Sequence, residues 1–231
     1  MDFAVQLLDQ PIIRRLPDNA FVTGLQAGQF SPQALALYAD RIVRFADNVL
    51  GLLARILAIC PDRRVRQHIL ENLMEEEGFY CCDGELAGDE AKSHSALARR
   101  FVNALPPAPP DSWRNEDRQL TAWLAEECWP AAAAFFFIGF EHSVPPTIEL
   151  ILPALKTQYG LDDEALTFFE EHLGADQVHA ARGAEMLVAA CRDAQSQRLA
   201  LEGARRGAMA WYRFHSVCAR DMSRIDESIH A

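Results

Sequence analysis

Phe168-Phe169-Glu170-Glu171-His172-Leu173-Gly174-Ala175-Asp176-Gln177-Val178-His179 is the stretch on which the reading of this chain turns. At roughly 100° per residue, His172, Asp176 and His179 stand at i, i+4 and i+7 and share one narrow stripe of a helix. Phe168 and Phe169 precede the stripe and Gly183 and Met186 follow it, so it faces inward. Burying two imidazoles and a carboxylate bare costs several kcal/mol, so they must be hydrogen-bonded or ligated. Two readings meet that need: core histidines bonded to Asp176, or a helical metal-ligand motif. Imidazole and carboxylate donors suit iron, manganese or zinc better than calcium or copper(I).

Half of the 231 residues are hydrophobic, enough for a substantial core. A net charge of −11, with no basic run beyond Arg63-Arg64-x-Arg66, argues against nucleic acid and anionic membranes as partners. The six cysteines (60, 81, 82, 128, 191, 218) form no CxxC pair, and Met1-Asp2-Phe3-Ala4 does not open a signal peptide. A reduced, cytoplasmic chain is expected. The longest apolar run, Trp129 to Phe140, is too short to span a bilayer. Adjacent Cys81 and Cys82 have no motif around them and read as incidental.

Around the motif the pattern is helical throughout. Asp2 caps a short helix that Pro11 interrupts, and a second runs from Asp18 to about Gln26. Ser31-Pro32 starts a helix of about eight turns that continues to Cys60. Pro61-Asp62 restarts the chain into an amphipathic helix that Gly78 ends. Residues 79 to 90 read as a polar loop, followed by a helix from about Asp89 to Leu105, a proline connector over 106–110 and a helix from Trp113 to Cys128. Pro130 opens a helix that is apolar all round and therefore central, kinked or restarted at Pro145-Pro146 and ending near Gly160. Asp162 caps the motif helix, which runs to about Arg192, and a last helix spans Ser196 to about Ser223. No stretch reads as a convincing strand. The expectation is an all-α, single-domain bundle of seven or eight helices over residues 1–231.

Ionisable residues on the inner faces of these helices form a set: Glu76 or Glu77, His94, Glu141, His172, Asp176 and His179. Glu75 reads as the solvated member of the Glu75-Glu76-Glu77 run, and Glu141 is a lone carboxylate over Phe137 and Ile138. His142 reads as structural, and His68 as either a neighbour of the site or a surface residue. Three carboxylates and three imidazoles would hold two metal ions, leaving a net positive centre, and a di-iron pair fits because zinc has no electrons to give O₂.

The segments Asn72-Leu73-Met74-Glu75-Glu76-Glu77-Gly78, Ser93-His94-Ser95-Ala96-Leu97-Ala98-Arg99-Arg100-Phe101, Glu141, and Phe168 to His179 resemble the haem-oxygenase-like di-iron oxidases and oxygenases. That superfamily is similar in fold to the pyrroloquinoline-quinone synthases and thiaminase-like proteins, and the resemblance extends over residues 30 to 190. It implies a haem-oxygenase-like fold and, aligned on Asn-Leu-x-x-Glu, selects Glu76 beside His94, Glu141, His172, Asp176 and His179 as ligands of two Fe²⁺, with O₂ as co-substrate. The implied activity is oxidation of a small amino acid or carboxylic acid by decarboxylation, desaturation, carbon–carbon cleavage or N-oxygenation, in a specialised biosynthetic pathway. Phe137, Ile138 and Phe169 would line the substrate space, with Arg182 as a candidate grip for a substrate carboxylate. Expected partners are a small-molecule substrate and an external electron donor, with a homodimer possible.

Two alternatives stand beside this reading. One branch of the family makes p-aminobenzoate by consuming its own tyrosine near a lysine, but none of Tyr38, Tyr80, Tyr159 and Tyr212 has the spacing from Glu76 that this branch implies, and Lys156 is offset. The other is a non-catalytic partner-binding protein with a structural metal site. Haem oxygenase itself would need a histidine near the N-terminus, whereas the first here is His68.

Overall fold

Side chains that close helix N-termini set most of the element boundaries. In a computed structural model that describes residues 2–82, 85–109 and 128–229, Asp2 caps α1 (Phe3–Leu8) and Asn19 caps α2 (Ala20–Gln26). Ser31 caps α3 (Pro32–Ile59), and Asp62 caps α4 (Arg63–Glu76) through Arg64 and Val65 N–H. Ser93 caps α5 (His94–Asn103) and Asp162 caps α8 (Asp163–Ala190). Each such oxygen satisfies backbone donors that a helix leaves open. Short 3₁₀ turns at Ile13–Asp18 and Glu90–Lys92 fill two of the connections. The predicted helix over 113–128 falls outside the described residues except for Cys128.

The central rod starts as α6 (Trp129–Ala134), widens into a π-helical turn (Phe135–Phe140), tightens into a 3₁₀ turn (Glu141–Ser143) and continues as α7 (Val144–Thr157). Counting that rod once, there are eight α-helices among the described residues. The all-round apolar reading holds: Ala131 to Ile138 are at most 3% exposed. The π turn is new, because a 3.6-residue period carries no sign of it. The Glu141 N–H bonds the Phe136 carbonyl, five residues back, which re-phases every side chain beyond it.

What allows the wide turn is α9 (Ala194–Ile229), which presents Ala200, Gly203, Ala204, Gly207 and Ala208 as a stripe of small residues. A Cβ on Gly207 would lie 2.2 Å from the Phe135 carbonyl, one on Gly139 2.4 Å from that of Ala204, and one on Gly203 2.1 Å from that of Ala131. The two backbones touch. Helix α8 packs against α4, α5 and α7, which brings its inner face toward the rod.

Between α3 and α9 lies a buried polar layer that no periodicity announces. Arg41 Nη2 donates to Asp221 Oδ2 at 2.8 Å, and His215 Nδ1 lies 2.9 Å from the Trp211 carbonyl. Tyr38 Oη reaches the other ring nitrogen of His215 at 3.5 Å. Burial pushes the His215 imidazole down to about 4.

The structure departs from the sequence reading at several edges. Residues 79 to 90 are no plain loop: β1 (Phe79–Cys82) and β2 (Glu85–Gly88) pair antiparallel, with Phe79 opposite Gly88. Such short strands, β2 largely exposed, lack the alternating buried face by which a strand is recognised. Helix α5 begins at His94 rather than Asp89, and α9 begins earlier and runs later than expected. Among the described residues, no helix is long and apolar enough to cross a membrane.

Gly207→Ala should lower the stability to urea by about 1–3 kcal/mol, because the added methyl meets backbone that cannot step aside. An unchanged midpoint would show that α9 and the rod separate freely. The His215 pKa gives a second test. The folded chain keeps this ring neutral to about pH 4 while the unfolded chain protonates near 6.5, so its contribution, on the order of 3 kcal/mol, is lost as pH falls through that window. His215→Phe should therefore lose stability more slowly than wild type between about pH 7 and about pH 4; parallel profiles would contradict the assignment.

Candidate metal centre

Four elements deliver the six expected side chains to one buried region. Glu76 comes from the last turn of α4, His94 from the first residue of α5, Glu141 from the turn after the π helix, and His172, Asp176 and His179 from α8. They form two triads, Glu76–His94–His172 and Glu141–Asp176–His179, with one donor atom from each member within 4.8 Å of the others. The stripe on α8 thus serves both groups. Glu77 is the exposed C-terminal cap of α4, whereas Glu76 Oε2 reaches 2.7 Å from His94 Nδ1.

The rings are not arranged as core histidines bonded to Asp176. His172 Nδ1 lies 2.7 Å from the Phe168 carbonyl, which leaves Nε2 open, and its ring centroid is 4.2 Å from that of His94. His179 Nδ1 stands 3.6 Å from Glu141 Oε1 and 3.8 Å from Asp176 Oδ1, beyond hydrogen-bond reach. Asn72 Nδ2 donates to Glu141 Oε1 at 3.0 Å and lies 3.2 Å from His179 Nδ1.

Electrostatics mark the same atoms as short of positive charge. Burial raises the Glu141 carboxyl to about 7, against relief from His179 and Asn72, and burial with the charge of Glu141 holds Asp176 well above the usual carboxylate range. Burial and then His94 push His172 well below the usual imidazole value. Burial would also lower His94 and His179, but Glu76 outweighs it at the first and Glu141 and Glu75 at the second, which rises to about 10. A cation bound here must displace those protons.

Other expected residues fall around this core. Phe137, Ile138 and Phe169 are fully buried, with Phe137 4.7 Å from the His68 ring and Phe169 edge-on to Phe101 at 5.0 Å. His68 is buried too, 6.3 Å from the His179 ring, so its surface alternative is wrong. His142 bonds the backbone of Leu8, in keeping with a structural role. Arg182 is 59% exposed at its side chain and stands 3.9 Å from Glu71, outside the buried group. Glu75 is exposed, as expected of the solvated member of its run, but sequence reasoning missed that its Oε2 lies 2.7 Å from His179 Nε2. Asn72 was visible as the first residue of the Asn-Leu-x-x-Glu motif, with no role assigned to its side chain.

The family of iron-containing redox enzymes matches residues 43–212. The chain belongs to that family. A curated relative named 4-aminobenzoate synthase, from Chlamydia pneumoniae, is 26% identical over 79% of this chain and 80% of its own length. Among solved structures, a domain of unknown function with a haem oxygenase-like fold from Shewanella denitrificans superposes with a TM-score of 0.77 at 16% identity, covering 100% of this chain and 96% of that one. A TenA homologue from Pseudomonas syringae gives 0.75 at 14%, covering 94% and 93%. The haem-oxygenase-like all-α fold is therefore shared.

In this member of the family the residues present fit a pair of ions. Glu141 Oε2, Asn72 Oδ1 and His94 Nδ1 are buried without a hydrogen-bond partner, and His94 Nδ1 is off line for donation to Glu76 despite their 2.7 Å approach. Donor atoms crowded together at a poor hydrogen-bond angle are what a common ion would satisfy. His179→Ala should then remove one ion and His172→Ala the other, with helicity by circular dichroism nearly unchanged, because the triads are small beside the core. A variant that still holds two ions by metal analysis would show the stripe to be misassigned.

Proposed function

We propose that this chain is a non-haem di-iron enzyme that uses O₂ to oxidise a small amino acid or carboxylic acid. The observation that carries the reading is the pair of carboxylate–imidazole triads, Glu141–Asp176–His179 buried and Glu76–His94–His172 part-buried beside it. Two ferrous ions in those triads would supply the electrons with which O₂ is activated. Asn72 holds the Glu141 carboxylate in place, and the Phe168 carbonyl aims Nε2 of His172 inward. Phe137, Ile138 and Phe169 keep water from the reacting atoms. Arg182 remains a candidate for meeting a substrate carboxylate only at the rim, where its exposure leaves it. An external electron donor is part of this proposal.

The relatives named 4-aminobenzoate synthase favour a second reading, formation of an aminobenzoate. The positions of the tyrosines speak against consumption of the chain's own residue. Tyr38 Oη faces His215, Tyr80 lies under Lys92 and Tyr212 under Arg15. Tyr159 sits by Phe30 at another surface, and Lys156 is exposed and paired with Asp163 and Glu170.

Iron-loaded protein mixed with O₂ should give a transient visible absorption, and one member of a panel of amino acids and fatty acids should accelerate oxygen consumption. One zinc per chain with no response to O₂ would favour a non-catalytic protein with a structural metal. Release of p-aminobenzoate with a matching loss of mass from the chain would establish the second reading.

A further inference from the structure

Glu75 and Glu76 are neighbours in the last turn of α4, yet they approach different imidazoles. Glu76 Oε2 meets His94, whereas Glu75 Oε2 lies 2.7 Å from Nε2 of His179. The opposite nitrogen of that ring, Nδ1, is the one turned toward the buried acids, 3.6 Å from Glu141 Oε1 and 3.8 Å from Asp176 Oδ1, with Asn72 Nδ2 3.2 Å away on the same side. The ring is bracketed by carboxylates on its two edges. A neutral imidazole offers a lone pair at one nitrogen only while the other carries the proton.

We infer that Glu75 is a positioning residue for His179: it accepts the Nε2 proton and so fixes the tautomer in which Nδ1 presents its lone pair to an ion held with Glu141 and Asp176. The inference rests on the two-ion reading above. A carboxylate at a helix C-terminus faces the negative end of the dipole, and a side chain 46% exposed could turn to water, so its close approach to the ring needs a local cause. Arg182, the nearby cation, pairs with Glu71. His94 and Arg182 also draw the carboxylate by charge, and the contact with Nε2 of His179 is the largest of these attractions. Glu75 also alters the charge of the centre: three carboxylates leave two divalent cations with net positive charge, and a fourth carboxylate in contact through the ring balances it. An outer carboxylate of this kind orients the imidazole and raises its basicity, and its loss weakens metal affinity without removing a ligand.

Titration of the ion-free protein with Co²⁺, followed by visible absorption and by competition with a chelator, tests this without reference to turnover. Wild type should take up two ions. Glu75→Ala should still take up two, with one affinity weaker by about 10- to 100-fold and an altered absorption band for that ion. Glu75→Asp should recover most of the loss, which a role confined to filling space would not predict. The inference is overturned if both affinities in Glu75→Ala stay within about twofold of wild type, the result for a surface contact. It is equally overturned if Glu75→Ala loses one ion outright as His179→Ala does, since Glu75 would then itself be a ligand. Uptake of fewer than two Co²⁺ by wild type would overturn the two-ion reading and the inference together.

Discussion

Three carboxylates and three imidazoles converge here, Glu141, Asp176 and His179 buried and Glu76, His94 and His172 part-buried, and no other cluster among the described residues is as demanding. Glu141 and Asp176 are held above their ordinary carboxylate range by burial, so without a cation they tend toward neutral acids. Polar groups left bare in such a place cost several kcal/mol, and Glu141 Oε2, Asn72 Oδ1 and His94 Nδ1 have no hydrogen-bond partner. Membership of a family of iron-containing redox enzymes, and two triads whose donor atoms lie close enough to share an ion, both fit a bound cation as the answer to that demand.

The scaffold meets it through backbone devices. Small residues along α9 let the central rod open into a π turn, and that turn ends at Glu141. A serine cap places His94 on the first residue of α5, and the β1–β2 pair returns the chain from the end of α4 to that cap. Gly78, at φ 77°, makes this return possible, since a Cβ there would stand 2.3 Å from the Asp89 carbonyl. The α8 stripe then spans both triads. Away from the site, the Arg41–Asp221 pair and the Tyr38–His215 contact tie α3 to α9 through polar groups that carry no sign of chemistry.

Under the di-iron reading, this arrangement separates the ions' ligands from the residues that orient them. Asn72 touches Glu141 and one edge of His179, the Phe168 carbonyl holds His172, and Glu75 is placed at the other edge of His179. All three come from helices that also carry ligands, so aligning those helices aligns the supports as well.

Helices, caps and the inward stripe of His172, Asp176 and His179 were legible in the sequence because period, capping chemistry and burial are local properties of a chain. So was the all-apolar character of the rod around Ala131 to Ile138. The choice between Glu76 and Glu77 was open to residue reasoning, since adjacent carboxylates at a helix end differ only in what stands opposite them. Glu75 looked solvated for the same reason: its partner, His179, is more than a hundred residues away. The π turn, the short hairpin and the pairing of α3 with α9 also lay beyond the sequence. Local pattern determined which side chains could turn inward. Tertiary packing decided which of them meet, because a contact depends on the angles at which separate helices cross, and no single helix encodes those.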